Sequence, residues 1–183
     1  MSLLPFCEWL AGTSGSIALH ESLYMYPLVE SSHVLTLCLF VGMSVIWDLR
    51  LLGIVLPNVA MSDMSRRIWP LMLIGFILMS ISGVLLFYAI PVRSYQSIWF
   101  RAKVIMLVAA GLNAWTFHRT VYRTVDTWDT GRPPRRARRA AIASLALWAG
   151  IIVAGRMIAY NWFDCDLPQR PFITWAAGCT EKG

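Results

Sequence analysis

Residues 28–47 form a run of 20 residues with no Asp, Lys or Arg, in which Glu30 and His33 are the only acidic or basic side chains. A helix of that length rises about 30 Å, the thickness of a bilayer's hydrocarbon core. Pro27 suits its first turn. Asp48 and Arg50 mark its far boundary, and residues 51–56 continue at the interface until Pro57. Three further apolar stretches of similar length follow, at 68–90, 98–117 and 140–163. This pattern predicts an all-α membrane protein, a four-transmembrane-helix bundle. Residues 1–26 are expected to form an N-terminal interfacial segment, 27–163 the membrane domain and 164–183 a tail. The chain is 57% hydrophobic and 14% charged, where soluble domains carry about 25% charge.

The polar stretches read as connections: a loop at 58–67, a short one at 92–97 and a long basic one at 119–139. Arg50, Arg66, Arg67 and the many Arg residues of 119–139 fall on one side of the membrane. Arg93, Arg170 and Lys182 fall on the other. The positive-inside rule makes the first side cytoplasmic. The expected location is a bacterial inner membrane, multi-pass, with both termini periplasmic. The first 16 residues lack the basic start and long apolar core of a signal peptide. They read as a short interfacial helix with Pro5 near its start. A second short helix is expected over 16–26, capped by Ser14 or Ser16.

That orientation puts Cys7, Cys165 and Cys179 on the oxidising side. There a Cys165–Cys179 bridge or two free thiols are both open readings. Cys38 lies mid-helix and reads as a small packing residue.

Ionisable groups inside membrane segments are costly, which makes them functional candidates. His33 and His118 are predicted at heights differing by roughly 22 Å along the helix axes. One iron or metal ion therefore does not join them. The half of the bundle nearer the termini gathers His33, Glu30, Arg101, Lys103, Arg156 and His20 instead. Three cations with one carboxylate suggest a bound anion, a lipid headgroup or the propionates of haem b. Imidazole is a common axial ligand of haem iron. His33 is the expected ligand, and His20 a second if the N-terminal segment folds over the bundle. Met25, Met79 and Met106 are weaker second ligands.

Plainer readings stand beside these. His33 is equally an interhelical hydrogen-bonding group. Glu30 orients His33 or pairs with Arg101. Arg101 and Lys103 snorkel to lipid headgroups. His20 sits in an interfacial loop. His118 is either an interfacial side chain or part of a second site near Asn113, Trp115 and Asp48. Asp48 and Arg50 read as a cluster fixing a helix end. Glu30-x-x-His33 has di-iron spacing, but a di-iron site needs a second such pair and two more Glu in facing helices, which this chain lacks. Gly75, Met79 and Gly83 share one helix face, and Ser144, Trp148 and Gly155 lie close to one face of another. Such small faces suit close helix approach or a flat macrocycle. The run Arg132–Arg139 reads as a topology signal and a contact for anionic lipid, not for nucleic acid. Cys-x-x-Cys-His, a phosphate loop and a dinucleotide fingerprint are all absent.

Glu30-Ser-Ser-His33, Asp48-Leu-Arg-Leu-Leu-Gly53, Arg66-Arg-x-Trp-Pro70, Ser82-Gly-Val-Leu-Leu-Phe87, Arg101-x-Lys103 and Leu112-Asn-Ala-x-x-Phe-His118 together form a pattern. It resembles an uncharacterised family of small bacterial inner-membrane proteins, from Tyr26 to Arg119, with Gly155-Arg-Met-Ile-Ala-Tyr160 as a further match. The general build is similar to four-helix cytochrome b membrane subunits and cytochrome b561-like proteins. A two-haem cytochrome b561 pairs histidines at each membrane level, and three histidines depart from that.

Two functions are therefore expected. One is a haem b protein moving electrons, more an electron-transfer protein or subunit than an enzyme, with quinone or a periplasmic redox protein as partner. The other is a non-redox membrane anchor or homo-oligomer whose ionisable groups pair with each other and with membrane lipids. Copper in place of haem stays open, since His and Met ligands suit both. A solute transporter is disfavoured, as neither an internal repeat nor a broken helix pair is evident.

Overall fold

The computed structural model describes residues 3–160, 165 and 170–179. The expected end of the fourth crossing at 161–163 and much of the tail lie outside these residues. The described chain is all-helical. Four helices are long and apolar enough to cross a membrane: α3 (Met25–Leu52), α4 (Met61–Ala89), α6 (Ile98–Thr120) and α7 (Arg135–Ala159). Four short ones flank them: α1 (Leu4–Ala11), α2 (Ser14–Glu21), α5 (Pro91–Tyr95) and α8 (Pro171–Ala177).

All four long helices overrun or shift from the spans read in the sequence. α3 starts at Met25, where the Ser22 hydroxyl accepts the Met25 N–H at 3.0 Å. It stops at Gly53, whose φ of 78° lets its N–H close on the Arg50 carbonyl. That left-handed conformation favours glycine. α4 takes in the residues read as a loop at 61–67. Met61 and Met64 are buried there, while Asp63 pairs with Arg66 one turn on. α7 starts at Arg135, not 140. Ala137 and Ala141 are fully buried while Arg135, Arg136, Arg138 and Arg139 are exposed. Both extensions are amphipathic turns beyond the apolar span, so hydropathy alone truncates them.

Three further elements stand where the sequence suggested loop or tail. They are α5, α8 and a 3-10 turn at Tyr122–Thr127. The 3-10 turn forms because Val121, Val125 and Trp128 bury themselves against Leu51, Met61, Ala137 and Ala141. The cap of α2 also differs from expectation. Thr13, not Ser14 or Ser16, accepts the Ser16 N–H.

The long helices pack in the order α4, α3, α7, α6. α3 and α7 occupy the middle, and α4 and α6 meet near one end, where Phe87 stacks on Phe100 at 5.4 Å. A mid-bundle core joins Val41, Met79, Ala110, Trp148 and Ile151. Gly75 sets the closest approach of α3 and α4, since a Cβ there would stand 3.1 Å from the Phe40 backbone nitrogen. Leu73, Ile77, Ile81, Val84, Ile105 and Val108 point outward, as lipid-facing side chains do.

The two ends of the bundle differ. The basic end is tied by buried Arg50, which donates two hydrogen bonds to the Val59 carbonyl at 3.0 and 2.7 Å and one to the Asp129 carbonyl at 3.4 Å. Asp129 in turn accepts from the Ser62 N–H at 2.7 Å and the Ser62 hydroxyl at 2.6 Å. These bonds cap α4 from a distant loop and hold the Asp129 carboxyl below the usual carboxylate range. The opposite end is covered by α1, α2, α5 and α8. Thr13 bonds the Tyr88 hydroxyl at 2.9 Å, and the Ser16 hydroxyl donates to the Tyr88 carbonyl at 2.7 Å. Cys7 is buried there as a free thiol, which burial and then Glu8 push up. Cys165 and Cys179 form a disulfide.

Candidate functional site

The four long helices converge on a polar site in the half of the bundle toward the covered end. His33 is the ninth residue of α3, and its ring rests on α4. Its Nδ1 lies 2.9 Å from the Ser82 hydroxyl. A Cβ on Gly83 would come within 3.3 Å of the His33 Cε1. The absence of a side chain at Gly83 thus makes room for the imidazole.

The ring's tautomer follows from counting protons. A serine hydroxyl has one proton to donate. That of Ser82 has the Leu78 carbonyl at 2.8 Å and the Met79 carbonyl at 3.1 Å within reach, and we assign it to its own helix. Its lone pair then accepts from His33 Nδ1–H. This assignment leaves Nε2 with its lone pair. Among the described residues Nε2 has no hydrogen-bond partner. A hydrogen-bond acceptor on one ring nitrogen is how proteins present the other to a metal.

Lys103 reaches the same site from α6. It is half-buried, and its ammonium acts electrostatically on His33. A Cβ on Gly155 of α7 would stand 3.6 Å from Lys103 Nζ. Among the described residues Lys103 has no carboxylate partner. A half-buried ammonium in a membrane helix without a counter-charge is costly.

The other candidates lie elsewhere. Arg101 donates to the Ala176 carbonyl at 2.7 Å and the Tyr95 carbonyl at 3.2 Å, with its guanidinium over the Tyr95 ring. It fastens α8 to α5 and α6. Arg156 is exposed and lies over the Tyr160 ring at 4.9 Å. Glu30 is exposed and pairs with neither His33 nor Arg101. His20 is exposed and meets Tyr26 edge-on, because Gly15 and Ser16 dock α2 on Tyr88 through another face. Met79 lies in the mid-bundle core, and a Cβ on Gly150 would come within 2.7 Å of the Met106 sulfur.

His118 is exposed at the basic end and stacks on Tyr122 at 5.3 Å. Its proposed companions are dispersed. Asn113 donates to the Ala140 carbonyl, Trp115 lies under Arg119, and Asp48 is buried with its Oδ2 lacking a hydrogen-bond partner among the described residues. Asp48 and Arg50 are not paired: the Arg50 guanidinium is taken up by the Val59 carbonyl.

Ser82 is the residue sequence reasoning missed. Its signal was present: it precedes Gly83 on the small face of α4. Among the described residues no three His, Cys, Asp or Glu side chains gather as a metal site. No curated protein and no solved structure matches the chain. A family model does match, over residues 7–161. The chain, an all-helical protein with four candidate membrane spans, belongs to the family of unknown function DUF6644.

Proposed function

We propose that the protein binds haem b at the His33 site and serves as an electron-transfer protein or subunit of a bacterial inner membrane. One observation carries this reading: an imidazole whose Nδ1 meets Ser82, with Nε2 uncommitted and a half-buried ammonium unpaired among the described residues. A porphyrin supplies four of the iron's ligands itself, so a single protein nitrogen suffices where a bare metal ion needs several. When bound, the haem would supply one-electron redox chemistry. The chain's part is to present His33 Nε2 to the iron and to set Lys103 against a propionate. Arg156 and His20 lie outside this site, at Tyr160 and Tyr26, and Arg101 is assigned to holding the tail. Quinone or a periplasmic redox protein is the expected partner.

The test is a reduced-minus-oxidised visible spectrum of the detergent-purified protein, with a pyridine haemochrome assay, after expression with ample haem precursor. A b-type signal is expected in the wild type and in His118→Ala, and its loss in His33→Ala. A colourless wild-type protein overturns the reading. A second reading has its own support: Arg101 and Arg156 are both occupied within the chain. It is a non-redox anchor or homo-oligomer in which Lys103 meets lipid phosphate. There His33→Ala changes stability or assembly, and no chromophore is present.

A further inference from the structure

The end of the molecule away from His33 holds a cleft lined by both polar and apolar side chains. This open cleft of about 360 Å³ lies between the last turns of α6 and the first turns of α7. Asn113, Thr116, Phe117 and Thr120 line one wall, and Arg136 and Arg139 the other. No Asp or Glu lines it. Neither guanidinium meets a carboxylate among the described residues.

The donors in this cleft can be counted. The Thr116 hydroxyl donates to the Asn113 carbonyl at 2.9 Å, and the Thr120 hydroxyl to the Thr116 carbonyl at 2.6 Å. Asn113 spends one of its two amide protons on the Ala140 carbonyl at 3.0 Å. The threonines therefore offer only lone pairs, and most free donors are the two guanidinium groups. Planar forks of this kind match a phosphodiester's two unesterified oxygens.

We propose that this cleft seats the headgroup of an anionic phospholipid. Two sources of phosphate chemistry fit the guanidinium groups, a lipid and a free anion. Position selects the lipid. The cleft lies where two apolar spans end, at headgroup depth, and Phe117, Val121, Ala140 and Ala143 add apolar wall to it. Exposed Leu112 and Ile142 continue an apolar surface toward the membrane interior for the acyl chains. The phosphate pairs with Arg136 and Arg139, and hydroxyls of the headgroup donate to the threonine oxygens.

The test uses the full-length protein in a neutral detergent, with retention of added lipid read by native mass spectrometry. Phosphatidylglycerol is compared with phosphatidylcholine, and inorganic phosphate is compared by thermal shift. The double variant Arg136→Gln/Arg139→Gln is set against Arg135→Gln/Arg138→Gln. The control pair removes the same charge from the same two turns but lines no part of the cleft. The expected result is selective retention of phosphatidylglycerol, reduced roughly 10- to 30-fold in the first variant and little changed in the second. Equal loss in both variants means diffuse surface electrostatics and overturns the site. Equal retention of the two lipids overturns it too. Stabilisation of the wild type by inorganic phosphate as large as that by phosphatidylglycerol makes it a free-anion site instead. The wild-type comparisons hold whether or not a variant folds.

Discussion

At the scale of single residues, the chemistry of the His33 site turns on one serine. Ser82 spends its proton on the α4 backbone, so it can only accept from His33. Ser82→Ala removes that acceptor and frees the ring to rotate or change tautomer. On the haem reading proposed above, haem affinity is expected to fall about 10- to 100-fold, the usual cost of losing the hydrogen-bond acceptor behind a metal-binding imidazole. Titration of the haem-free protein with hemin checks this. The variant should still fold, because alanine fits the same space. Glu30, His33 and Lys103 were all legible as candidates, since any acid or base inside an apolar run stands out. Which of them meet was not legible. Glu30 and His33 lie three residues apart, yet one is exposed and the other rests on α4.

At the scale of helices, small residues decide how closely the spans approach. Gly75 faces the Phe40 backbone itself, which has no side chain to rotate aside. Gly75→Val should force α3 and α4 apart and destabilise the protein by about 1–3 kcal/mol, the range for overpacking. Thermal unfolding in detergent measures it. Gly42 is the control, because a Cβ there meets nothing within 4 Å. The start of α4 makes a different prediction. Asp129 caps it through Ser62, and its carboxyl titrates below the usual value of about 3.9. A depressed acid stabilises the fold fully above that value, and the contribution is lost as pH falls through the folded-state pKa. The melting temperature should therefore drop as the medium is acidified below about pH 4, and Asp129→Asn should flatten that limb. An acid limb of unchanged slope in the variant would remove Asp129 from this role.

For the molecule as a whole, the two ends carry different kinds of structure. Buried Arg50 and an aromatic-lined cluster close the basic end. Short helices, a disulfide and the Arg101 contact to α8 close the other. The charge pattern predicts that the basic end faces the cytoplasm. Alkaline phosphatase fused at residue 179 should be active, while a fusion at residue 130 should be inactive. The reverse pattern would invert the orientation, and with it the compartment that His33 serves. The disulfide suits the same orientation, because such bonds persist in oxidising compartments.

Hydropathy runs alone determined that the chain is a four-span helical bundle, because no other structure satisfies 20 residues of backbone in lipid except a closed barrel. Charge counts determined an expected orientation in the same way. Both are one-dimensional properties and survive without any knowledge of neighbours. The boundaries were less legible, since the amphipathic turns at 61–67 and 135–139 become helical only when Met61, Met64 and Ala137 find a core. Tertiary structure alone decided the membership of the site. Helix order places α4 against α3, which brings Ser82 to His33. The same packing sends Lys103 to Gly155 and Arg101, two residues earlier on its helix, to the tail. Two residues along a helix turn a side chain by about 200°. His33 and Lys103 were plain in the sequence as candidates, but Ser82 and the pairing depended on the rotation and contact order of helices that no local pattern records.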